Sequence, residues 1–130
     1  MIIVDDKLSL DVLAGRYAGG SAMATTWTFH YRLLRALADP DCGGSLSRDA
    51  MSEVRRIAAQ PPTARLRVLD PRTVTLPAAG IAARHGLNLL AAELVASALH
   101  FGAEVHLSAR NVGARWSDAM AAEGVRLTVV

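Results

Sequence analysis

The chain opens on a continuous apolar run, Met1 to Val4, that stops at two aspartates, Asp5 and Asp6, after which Leu8 to Leu13 spaces its apolar residues as a helix does. A strand with no polar alternation has to be covered on both faces, and that requirement selects a parallel sheet wrapped by helices. The later chain repeats the theme. Leu87, Leu90, Ala91, Leu94, Val95, Ala98 and Phe101 recur at helical spacing, Gly102 is placed to cap that helix, and "AEVHLS" follows as a strand. A helix from about Gly113 to Glu123 then ends at Gly124, ahead of the alternating "VRLTVV". Helices between strands predict an α/β fold with a mainly parallel sheet and right-handed crossovers, whose ligands gather beyond the carboxyl ends of the strands.

The middle of the chain is read the same way. Gly15, Gly19 and Gly20 break the first helix, and Thr25 or Thr26 caps a second one carrying "WTFHYRLLRALA" up to the "DPDCGG" turn. On it Thr28, Arg32, Arg35 and Asp39 form a polar stripe, while Trp27, Tyr31 and Leu34 form an apolar one assigned to the core. A third helix covers Arg48 to Ala59, capped by Ser45 or Ser47 and stopped by Pro61 and Pro62. "RLRVL" and "TVTL" flank "DPR" as two short extended pieces, and Pro77 opens a short helix closed by Gly86.

With 130 residues, 52% of them hydrophobic, the chain has material for one core and is read as one domain over 1–130. A single cysteine, Cys42, offers no internal disulfide, and the start lacks the basic and long apolar stretches of a secretory signal, so the expected location is the cytoplasm. The apolar segment from His85 to Gly102 is interrupted by Asn88, Glu93, Ser97 and His100 and reads as a buried helix rather than a membrane span. The net charge of +2 rests on thirteen arginines and one lysine, with no basic run, and neither requires nor excludes a nucleic-acid partner.

Asp5 and Asp6 fall where the strand-end rule places a site. Two adjacent carboxylates repel unless a cation or arginine compensates, which suits a divalent metal held by oxygen ligands; the alternative is that one caps the first helix and the other faces solvent. Glu93, the one charged residue of the apolar helix, either lines the same crevice or marks a solvated stripe. The four histidines lack helical zinc spacing, and "AGRYAGGSA" has neither the lysine–serine ending nor the preceding strand of a phosphate loop.

These pieces resemble a divergent PIN domain of the kind found in VapC-like toxin ribonucleases. "MIIVDDKLSLDVLAG" is similar to the opening strand, acid and helix of that family, "AARHGLNLLAAELVASALHFGAEVHLSARN" to its later helix–strand section, and "GVRLTVV" to its closing strand, together about half the chain. The resemblance implies a three-layer α/β/α fold and a Mg²⁺- or Mn²⁺-dependent endoribonuclease, the toxin of a toxin–antitoxin pair. It further implies a small antitoxin partner and a homodimer. It places Asp5 at the first metal-binding aspartate, Asp6 where a threonine or serine is usual, and Asn111 nearest the last acid or asparagine position. The reading built on it takes Glu93, two residues beyond Ala91, as a substitute acid, so that Asp5 and Glu93 serve catalysis, Asp5, Asp6 and Glu93 the metal, and Arg32 and Arg35 the RNA phosphate. The sequence departs from the family where His30, Tyr31 or Arg32 stands near the expected glutamate and Ala91 near the later aspartate. Those departures support an alternative, a catalytically degenerate PIN-like module that binds RNA or protein.

Overall fold

The computed structural model describes residues 1–39, 41, 47–59 and 65–130. The expected turn at Cys42, the cap at Ser45 and the stop at Pro61 and Pro62 lie outside them. In chain order the elements are β1 (Ile2–Val4), α1 (Asp6–Leu13), β2 (Met23–Thr25), α2 (Trp27–Leu37), α3 (Arg48–Ala58) and β3 (Arg67–Val68). A short turn of 3-10 helix (Pro71–Thr73) leads into α4 (Thr75–His85), followed by α5 (Leu89–Phe101), β4 (Glu104–Leu107), α6 (Ala114–Ala122) and β5 (Leu127–Val129). All strand pairs are parallel, in the order β3-β2-β1-β4-β5, with Ile3 of β1 opposite Ala24 on one side and Val105 on the other. This α/β architecture is consistent with a PIN-like topology.

The apolar run of β1 works as its composition requires. Ile3 joins one buried cluster with Ala24, Phe29, Val105 and the inner faces of α4, α5 and α6, whereas Ile2 and Val4 join a second with Met23, Leu33, Leu37 and residues of α1 and α3. Both faces of the central strand are thus removed from water, and fully burying each large aliphatic side chain contributes about 1.5–3 kcal/mol. The capping signals at Ser47 and Gly102 also hold: Ser47 accepts from the Ala50 amide, and Gly102 closes α5 in the left-handed region (φ +58°) that disfavours a side chain. α5 starts two residues later than Leu87, with Asn88 as its cap accepting from the Ala91 amide. Among the described residues no helix is long and apolar enough to cross a membrane.

Three local expectations are corrected. The segment Met23–Thr25 is a strand, held between β1 and β3, where no strand was expected. "TVTL" is not extended: Asp70 caps the 3-10 turn, and Thr75 then starts α4, placing Pro77 third in that helix, where its missing amide hydrogen is still unneeded. On α2 the buried stripe is Phe29, Leu33 and Leu37, and the aromatics assigned to the core, Trp27 and Tyr31, are exposed together with Leu34.

His30, also on α2, carries a buried Nδ1 with no hydrogen-bond partner among the described residues, and burial lowers its pKa. The unfolded chain takes up a proton near pH 6.5 that the folded chain resists, so this contribution to stability is complete above that pH and is lost on acidification below it. Melting temperatures measured at about pH 7.5 and about pH 5.5 should fall further in the parent chain than in His30→Leu. Equal falls would show that the ring is not held neutral.

Candidate functional site

Strands β1, β2 and β3 extend the sheet to one side and the chain then returns to place β4 and β5 on the other, so β1 and β4 flank the switch point where such sheets open a crevice. Asp5 leaves β1 there, fully buried at 0% exposure. Its Oδ1 accepts the Leu8 amide at 2.8 Å, capping α1. Its Oδ2 accepts three donors from the segment after β4: the Ser108 amide at 2.8 Å, the Ser108 hydroxyl at 2.7 Å and Asn111 Nδ2 at 2.7 Å. The same Nδ2 donates its second hydrogen to Asp6 Oδ1 at 2.8 Å, and Arg32 Nε stands 3.3 Å from Asp6 Oδ2. An amide shared between two aspartates and a guanidinium beside the outer one compensate the repulsion that their adjacency implies.

Glu93 is also buried, at 3% exposure, but with partners of its own. Its Oε1 accepts the Trp27 amide and its Oε2 the Thr28 amide, each at 3.2 Å, and Oε2 also accepts the Thr28 hydroxyl. These are the first two residues of α2, whose amides have no partner within the helix, and the carboxylate sits where the helix dipole favours negative charge. Arg35 is exposed on α2 and forms no ion pair among the described residues.

The structure therefore gathers Asp5, Asp6, Asn111 and Arg32 at one point, holds Glu93 against the start of α2, and leaves Arg35 on the outer helix face. Ser108 and two basic neighbours, Lys7 and Arg110, were not anticipated. The signal available for Ser108 was a small hydroxyl directly after a strand that ends beside β1. Asp6, Lys7, Arg32, Arg110 and Asn111 form the polar wall of a cavity of about 400 Å³ floored by apolar residues of α1 and α2. Lys7 is paired with Asp11 at 3.0 Å, whereas Arg110 is exposed and forms no ion pair among the described residues.

This donor set does not fit a divalent cation. A Mg²⁺ site offers carboxylate oxygens to the ion, whereas both buried carboxylates here already accept N–H and O–H groups, and the one accessible acid, Asp6, faces an arginine. Among the described residues no group of three or more histidine, cysteine or acidic side chains is placed to hold a metal ion. Three basic residues and one acid line the cavity, and of the three bases Arg110 is the one with no ion pair among the described residues, Lys7 being paired with Asp11 and Arg32 with Asp6. The chain matches no protein-family model, and no curated protein shows significant similarity to it.

Proposed function

We propose that the chain is a PIN-like module that binds the phosphate backbone of RNA in the basic cavity beyond β1 and β4, without metal-dependent cleavage. The observation that carries this reading is the pairing of Asp5: a carboxylate saturated by four donors acts as a structural clamp between α1 and the segment after β4. On the cavity wall the basic side chains, Lys7, Arg32 and Arg110, outnumber the one acid, Asp6. Arg32 and Arg110 supply planar donors matched to phosphate oxygens, and Lys7 adds a compact charge.

The second reading is the Mg²⁺- or Mn²⁺-dependent ribonuclease of a toxin–antitoxin pair, with an antitoxin partner and a homodimer as the VapC-like resemblance implies. It is favoured by the placement of Asp5 at the switch point of the sheet, and disfavoured by the donors that Asp5 and Glu93 already accept. One experiment separates the two. Binding of labelled RNA is followed across a salt series, with Mn²⁺ or with EDTA, and the RNA is then run on a denaturing gel. The module predicts affinity that falls steeply with salt, is unchanged by EDTA and leaves the RNA intact. Arg32→Ala should weaken binding several-fold and reduce the slope of log affinity against log salt by about 0.7–1. Metal-dependent cleavage that disappears in Asp5→Asn would establish the nuclease instead.

A further inference from the structure

We propose that the exposed face of α2 is a platform for single-stranded RNA, on which Trp27 and Tyr31 stack unpaired bases while Arg32 and Arg35 hold the adjoining phosphates. The proposal rests on the RNA-binding reading and adds to it which form of RNA is taken and where the bases lie.

Trp27 and Tyr31 stand one helical turn apart with their rings nearly parallel, 7° between planes and 5.9 Å between centroids. Each keeps about half its surface in water, 50% and 52%. They are not needed for the core, because α2 anchors itself through Phe29, Leu33 and Leu37 on the opposite side. Large rings left stacked in solvent offer flat faces that a further ring can extend, and base–aromatic stacking is the usual sequence-tolerant way to hold single strands.

Charge narrows the occupant. The helix from Trp27 to Leu37 contains no acidic residue and two arginines. Arg35 continues the row of Trp27 and Tyr31, about 6 Å further along the axis. Arg32 follows Tyr31 and points to the basic cavity, so stacked bases and bound phosphates lie on one continuous path. A second copy docked by two-fold symmetry would set against each other two helix faces that each carry arginines and no acidic residue of α2, an electrostatic match poorer than that with a phosphate backbone. Beside Trp27 opens an apolar cavity of about 410 Å³ lined by Val74, Ala78, Leu89 and Ala92, in the size range of small-ligand pockets and open to a flat ring sliding off the tryptophan. A duplex hides the faces of its bases and cannot use such a platform.

The test compares a short oligoadenylate with a duplex of the same length, by anisotropy and by tryptophan emission, on the full chain. Trp27→Ala and Tyr31→Ala should each weaken oligoadenylate binding about tenfold and leave duplex binding unchanged, and Trp27→Phe should restore most of the loss. Emission should fall on adding oligoadenylate to the parent and not to Trp27→Ala, because the other tryptophan, Trp116, packs against the core. Arg32→Ala should weaken both RNAs. If Trp27→Ala and Tyr31→Ala bind like the parent while Arg32→Ala fails, the platform is overturned and RNA binding at the cavity stands. Should no variant or parent retain RNA, both readings fall. A dimer that Trp27→Ala dissociates, with RNA affinity untouched, would assign this face to a second copy and also overturn the proposal.

Discussion

Asp5→Ala should be the most damaging single substitution in the chain, lowering stability by about 4 kcal/mol and the melting temperature by roughly 15 °C. The side chain ends four hydrogen bonds, and its removal strands the buried Ser108 amide, Ser108 hydroxyl and Leu8 amide, and frees one hydrogen of the part-buried Asn111. Loss of the helix cap alone costs about 1 kcal/mol, and each buried donor left unpaired adds about 1–3 kcal/mol before relaxation. Asp5→Asn keeps an oxygen for the cap but turns an amide toward donors, and should cost about half as much. Thermal melting of the three proteins in EDTA and in Mn²⁺ checks this. The predicted losses are the same in both.

The sign of those shifts is the informative part. Acidic side chains assembled to await a cation repel one another in its absence, so neutralising one of them stabilises the metal-free protein. Here neutralisation removes an acceptor that four groups require. A gain in melting temperature in Asp5→Asn would mean that the carboxylate is held against its own repulsion, and would return the metal-dependent nuclease to first place.

The position of Asp5 could be read from the residues because a geometric rule acts on sequence order: an apolar strand, then an acid, then helical spacing. Its partners could not. Ser108 is 103 residues away and a serine after a strand is common, so nothing local distinguishes it. Glu93 was legible as an anomaly, a lone charge in an apolar helix, but not in its role, because its partners are mainly backbone amides and these leave no mark in the sequence. The same limit explains the errors in the fold. The Met23–Thr25 segment has weak strand character of its own and becomes a strand because β1 and β3 pair with it from both sides. The "TVTL" alternation favours an extended chain, yet Asp70 capping the turn at Pro71 starts the winding that α4 continues. α2 carries two apolar arcs of similar size, and spacing cannot say which faces inward. That is decided by where Thr26 ends β2's path and by the amides that Glu93 grips.

The second large effect is expected at that grip. Glu93→Ala should cost about 3 kcal/mol, since it leaves the first two amides of α2 and the Thr28 hydroxyl without their acceptor and removes a negative charge from the positive end of the helix dipole. Glu93→Gln keeps one oxygen but sets an amide group against amide donors, so it recovers only part of the loss. The effect reaches the proposed RNA surface, because α2 is the helix that carries Trp27, Tyr31, Arg32 and Arg35. Amide hydrogen exchange in Glu93→Gln should therefore show the first turn of α2 opening more readily while the cores of α1 and α5 keep their protection. Affinity for oligoadenylate should fall with it, and duplex affinity should change less. Uniform loss of protection across all helices would instead make Glu93 a general stabiliser of the core, with no particular hold on the binding face.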